Sequence, residues 1–252
     1  MSGSLFDLTG RVALITGGHK GLGRGITNAL AEAGADIVVV SRHVTDAFLD
    51  EMKQYGVVCR KYNYDISELD EQKKLVDNII RDFGTIDILV NNAGFQFRCP
   101  AEDFPVEKWD QVVNINCRAS YFMCQRVGKI MLEKGYGKII NIASINTFQG
   151  RKFISAYAAS KGAIGSFTKS MANEWAARGV NVNCLMPGFV ATDLTRDLFQ
   201  DPKAREEVLS RIPMGRMGEP SDLGGAAVFL ASRASDYITG HVLCVDGGWM
   251  GA

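Results

Sequence analysis

Residues 12–16 (VALIT) form a short apolar run rich in β-branched side chains, and it leads straight into glycines at 17, 18, 21, 23 and 25. Residues 26–33 (ITNALAEA) then read as helix, stopped by Gly34. This order constrains the fold more than any other feature of the chain. A continuous apolar strand is expected inside a parallel sheet covered on both faces. Glycines between it and a helix allow a tight turn and let backbone N–H groups approach an anion at the helix N-terminus. The glycines alone would serve an empty turn equally well. The strand before them and the helix after them point to a nucleotide pyrophosphate.

The alternation then continues. Strands are predicted at 36–40, 57–62, 86–90, 138–143, 180–186 and 241–245, and helices at 45–55, 68–83, 106–134, 156–178 and 222–232. The fold class is α/β: one Rossmann-type doubly wound parallel sheet of about seven strands with helices on both faces. The strand at 57–62 is less apolar and suits a place near the edge. Neither a linker nor a repeat divides the 252 residues, so a single domain over 1–252 is expected. Residues 189–217 are polar and carry Pro202, Pro213 and several glycines, which suits a lid over a substrate.

Lys plus Arg and Asp plus Glu both number 28, so no excess charge suggests nucleic acid or an acidic membrane. No signal peptide and no span of transmembrane length is visible. The six cysteines are scattered, without ligand spacing or nearby histidines, so buried thiols are expected, with no metal site. A soluble, cytoplasmic protein is the expectation.

Chemistry is concentrated around Tyr157 and Lys161, which fall one turn apart on one helix face, with Ser144 upstream. A phenol titrates near pH 10, and an adjacent ammonium is expected to lower that value. Such a tyrosine can give and take a proton at an alcohol or carbonyl oxygen. After the second strand stand Ser41 and Arg42, where an acidic residue would contact ribose hydroxyls and repel a 2′-phosphate. Arg42 and Ser41 can instead bind that phosphate, and Lys20 adds a nearby charge, so NADP(H) is favoured over NAD(H).

The glycine turn, Asn91-Asn92-Ala93-Gly94 after the fourth strand, Asn116 in VVNINC, Ser144…Tyr157-x-x-x-Lys161 and Pro187-Gly188 together resemble the short-chain dehydrogenase/reductase family, from residue 8 to residue 248. The resemblance implies a role for each matching position. Tyr157 would be the general acid/base and Lys161 would lower its pKa and hold the nicotinamide ribose. Ser144 would bind the substrate oxygen, and Asn116 would hold a water in a proton relay. Gly17, His19, Lys20, Gly21, Leu22 and Gly23 would cradle the pyrophosphate end. Asp65 and Ile66 would meet the adenine, and Asn92, Ala93 and Gly94 the middle of the cofactor. Pro187, Gly188, Val190 and Thr192 would set the nicotinamide amide. A homotetramer is also implied.

The segments NNAGFQFR, NIASINTFQG and RIPMGRMGEPSD resemble the subgroup acting on keto-sugar acids, such as 2-dehydro-3-deoxy-D-gluconate or 5-keto-gluconate. A 3-oxoacyl-carrier-protein reductase is the alternative, and a non-catalytic NADP(H)-sensing protein is an alternative of another class. A sugar-acid carboxylate calls for an arginine or lysine in the site, and Arg98 and Arg151 (or Lys152) are placed to supply one. The partner is thus a small carbonyl or alcohol. Trp249, in the apolar C-terminus, would anchor a subunit contact, pack on its own chain or cover the site.

Overall fold

The computed structural model describes residues 4–192, 195 and 201–252. Seven strands, β1 (Val12–Thr16), β2 (Asp36–Ser41), β3 (Cys59–Asn63), β4 (Ile88–Asn91), β5 (Gly137–Ile142), β6 (Val180–Pro187) and β7 (Val242–Val245), join one sheet in the order β3-β2-β1-β4-β5-β6-β7. Every pairing between them is parallel. The sparsely apolar β3 lies at one edge of this sheet. The helices among the described residues are α1 (Gly21–Glu32), α2 (Asp46–Met52), α3 (Leu69–Phe83), α4 (Val106–Val113), α5 (Ala119–Lys134), α6 (Ser155–Trp175), α7 (Pro202–Ser210) and α8 (Gly224–Ala231).

Strand periodicity divides the core in two. Ala13, Ile15, Ile37 and Val39 pack with Ile26 and Leu30 of α1, Phe48 and Met52 of α2, and Ala227 and Leu230 of α8. Their neighbours Val12, Leu14, Val38 and Val40 pack on the other face with Leu75 and Ile79 of α3, Met123 and Val127 of α5, and Met171 of α6. Helices therefore cover both faces of the sheet. Strand order reverses between β1 and β4, so a crevice opens beyond the carboxyl ends of these neighbours, where ligands bind in such sheets.

Several boundaries differ from the sequence expectation. The first helix begins at Gly21, five residues before the apolar spacing starts, because the glycine turn is itself wound into its first turn. The region 106–134 is two helices joined by a π-helical turn, Asn114–Arg118. Residues 202–210 are helical inside the stretch expected to be an irregular lid. Pro202 occupies the first turn there, and the Asp201 carboxylate accepts from Lys203 N at 3.0 Å. Of that stretch, 193, 194 and 196–200 lie outside the described residues.

Candidate active site

Carboxyl ends of the strands bring the sequence-predicted residues to one side of the sheet. The turn after β1 is tied to the turn after β4. Thr16 Oγ1 accepts from Asn92 N and Ala93 N, both at 3.0 Å, and Asn92 Nδ2 donates to Thr16 O at 3.0 Å. A Cβ on Gly23 would fall on the Asn92 amide and the Gly17 carbonyl, so only glycine lets these turns meet.

A cavity of about 480 Å³ runs from Leu22, Asn92 and Gly94 past Ser144, Tyr157 and Lys161 to Pro187, Gly188, Val190 and Thr192. Arg98 and Arg151 also line it, whereas Lys152 does not. Arg42 and Asp65 line a second cavity of about 410 Å³ beyond β2 and β3. Asp65 Oδ1 accepts from Ser67 N at 2.9 Å and Ser67 Oγ at 2.7 Å, whereas Ile66 is turned into the core. Ser41, at the end of β2, accepts from Tyr64 N through its carbonyl. Arg42 is exposed and makes no ion pair among the described residues. His19 is half-buried, and its pKa is lowered by burial first and by the Lys20 and Arg24 charges after it.

Tyr157 and Lys161 stand one turn apart on α6, with the ammonium 5.6 Å from the phenol ring centroid. Lys161 Nζ donates to Ile142 O at 2.6 Å, and burial brings its pKa down to about 8, opposed by Cys184. The sequence expectation for the phenol is reversed. Burial raises the Tyr157 pKa above its ordinary value and outweighs a hydrogen bond from Ser144, and Lys161 is not among the causes.

Ser144 begins a 3₁₀ turn after β5. Its hydroxyl accepts from Asn146 N at 3.2 Å and Asn146 Nδ2 at 3.1 Å. The other end of the Asn146 amide is buried without a partner, and Asn146 lines the cavity. Asn146 lies within 145–154, the stretch between Ser144 and Tyr157 that the sequence offers for substrate choice, but the sequence does not single it out. Gln96 lines the cavity too and was also missed. Asn116 lies in the π-helical turn and is fully buried. Its side chain accepts from Phe95 N at 2.7 Å and donates to Phe95 O at 2.9 Å and Ser160 Oγ at 3.0 Å. It braces the turn after β4 against α6.

The residues present fit a dinucleotide. The N-terminus of α1 has no side-chain cap and no acidic residue in its first turn, which leaves its N–H groups for a phosphate. The same cavity joins this turn to Tyr157. No group of three or more His, Cys, Asp or Glu among the described residues could hold a metal ion. No helix among them is long and apolar enough to cross a membrane.

A short-chain dehydrogenase family model, described as enoyl-(acyl carrier protein) reductase, matches residues 17–250. The chain belongs to the short-chain dehydrogenase/reductase family. It is 47% identical over 246 residues to a 2-dehydro-3-deoxy-D-gluconate 5-dehydrogenase of Bacillus subtilis, covering 97% of this chain and 96% of that one. It is 40% identical over 246 residues to a gluconate 5-dehydrogenase of Gluconobacter oxydans, with 97% and 96% covered. The crystal structure of a gluconate 5-dehydrogenase from Burkholderia cenocepacia, in complex with NADP and tartrate, superposes with a TM-score of 0.94 at 39% identity, covering 98% of each chain. Family membership makes this protein an NAD(P)-dependent oxidoreductase, with the sheet and crevice described above.

Proposed function

We propose that the protein interconverts a ketone and a secondary alcohol on a keto-sugar acid, such as 2-dehydro-3-deoxy-D-gluconate or 5-keto-gluconate, with NADP(H) favoured over NAD(H). One observation carries this reading: a single cavity joins Ser144, Tyr157 and Lys161 to Arg98 and Arg151. A carbonyl can meet the first group while a carboxylate of the same small molecule meets the second. Names of relatives agree, since those reported above are dehydrogenases of gluconate or of a deoxy-keto-gluconate.

The glycine turn 17–23, Asn92 to Gly94 and residues 187–192 would hold the cofactor, with Arg42 on the 2′-phosphate. A bound nicotinamide supplies or accepts the hydride. The chain's own residues manage the oxygen. Ser144 donates a hydrogen bond to it, and Tyr157, whose pKa burial raises, gives it a proton as negative charge develops there. In the alcohol-to-ketone direction the Tyr157 phenolate takes the proton of the alcohol hydroxyl as the hydride leaves the carbinol carbon for the nicotinamide. Lys161, anchored on Ile142 O, sets a positive charge beside this exchange. Asn116 acts as a brace through Phe95 and Ser160. The free amide end of Asn146 is placed for a sugar hydroxyl, and Arg98 and Arg151 for the carboxylate. A homotetramer is part of the proposal. The exposed side chains of Val106, Trp109 and Tyr121 on α4 and α5 suit a subunit contact.

Removing one charge-assisted hydrogen bond costs about 1.5–3 kcal/mol, so Arg98→Ala should raise KM for 5-keto-gluconate roughly ten- to hundredfold. KM for a neutral ketose should hardly move. Equal losses on both substrates in steady-state kinetics would count against the carboxylate site.

A further inference from the structure

Arg151 and Arg211 are joined through two aromatic rings in contact. The Arg151 guanidinium lies 4.7 Å from the Phe189 ring centroid, the Phe189 and Trp249 rings are 4.8 Å apart at 61°, and the Arg211 guanidinium lies 4.1 Å over Trp249. These four residues come from the loop after β5, the segment just after β6, the residue after α7 and the C-terminal turn. Trp249 is itself tightly fixed. It is 4% exposed and packs with Ile145, Val208 and Ile212 of its own chain. Its Nε1 donates to Gln149 Oε1 at 3.0 Å. The Asp246 carboxylate accepts from Gly248 N and Met250 N, both at 2.9 Å, and closes the turn that presents the ring. Gly248 takes φ +94° there, with Pro213 where a Cβ would stand.

Arg151 needs such support. Residues 148–154 belong to no helix or strand. Like charges also gather around it: burial lowers its pKa first, Arg98 and Arg211 add to that, and Glu207 opposes them. Cations brought together with one opposing carboxylate create a site for an anion. Stacking on a ring holds a guanidinium while leaving its N–H fork free, so the arginine loses less freedom when the anion binds.

We propose that Trp249 is a positioning residue for acid recognition: it holds Arg211 on its own ring and Arg151 through Phe189, fixing the Arg151 fork at the cavity wall for the substrate carboxylate. The proposal rests on the sugar-acid reading of the cavity.

The test compares Trp249→Leu, Trp249→Phe and Arg211→Gln with the wild type. Two readouts are used: kcat and KM for 5-keto-D-gluconate beside D-fructose, and the calorimetric affinity for tartrate in the presence of NADP. Trp249→Leu and Arg211→Gln should raise KM for the acid and weaken tartrate by about tenfold. The KM for fructose should stay within about twofold of wild type, and Trp249→Phe, which keeps a ring face, should rescue the acid. Equal effects on acid and ketose, or a Trp249→Phe protein as damaged as Trp249→Leu, overturn the proposal. Should the wild type turn over no keto-sugar acid, the sugar-acid reading fails, and tartrate alone decides the role of Trp249. Weakened tartrate in the variants then supports it, and unchanged or absent binding overturns it. If Trp249→Leu does not fold, the exposed Arg211 decides in the same way.

Discussion

Tyr157 is pushed up from its ordinary pKa by burial, and Lys161 is brought down to about 8 by the same cause. Neither direction follows from the spacing of the two residues, because burial depends on what the tertiary fold packs around α6 rather than on α6 alone. At this scale the proposed chemistry needs one proton on one oxygen. Tyr157→Phe removes that proton and should lower kcat by about 10²–10⁴-fold while leaving the affinity for NADPH, read by fluorescence titration, near wild type. Near-normal turnover in this variant would exclude Tyr157 as the acid. Lys161 also makes stability depend on pH. Its folded pKa lies below that of an unfolded lysine, so between about pH 8 and pH 10 the unfolded chain binds more protons and folded stability rises with pH. Lys161→Met lacks this slope. Urea midpoints should therefore show the wild type gaining on the variant between pH 8 and pH 10, and a constant gap would contradict a buried, charge-bearing Lys161.

The uncapped N-terminus of α1 and the close approach of Gly23 to Asn92 make one device, the proposed phosphate cradle, braced by the turn after β4. Gly23→Ala should displace the Asn92 amide and weaken NADPH binding about tenfold or more, with little change in circular dichroism. Unaltered affinity would mean that the brace is dispensable. The elements were legible in the sequence to different degrees. The central strands could be read because burial on both faces leaves uninterrupted apolar runs. The glycine turn and the Tyr157–Lys161 pair are local in sequence and needed no fold to be seen. Helix α7 could not be read, because its sequence, PKAREEVLS, shows almost no apolar face. It depends on the Asp201 cap and on Val208 packing near Trp249, about 40 residues away. The π-helical turn at Asn114–Arg118 was hidden for a related reason: it is set by Asn116 bonding to Phe95 and Ser160, on other elements.

Over the whole molecule, the parallel sheet places every strand's carboxyl end on one side, and the reversal of order at β1 and β4 gathers the glycine turn, the tyrosine and the arginines around one crevice. Arg98 and Arg151 were nameable from sequence because each flanks a recognisable motif. Arg211 and Trp249 join them only through the tertiary fold, and Trp249 packs on its own chain rather than lying free as a subunit anchor. The central claim is that this crevice joins a carbonyl-reducing centre to a carboxylate site. It is tested most directly by kcat/KM for 5-keto-D-gluconate and for an acetoacetyl thioester, measured side by side with NADPH and NADH. The sugar acid with NADPH should exceed every other combination by at least about tenfold. Faster reduction of the thioester, or no reduction of the sugar acid with either cofactor, would contradict the account.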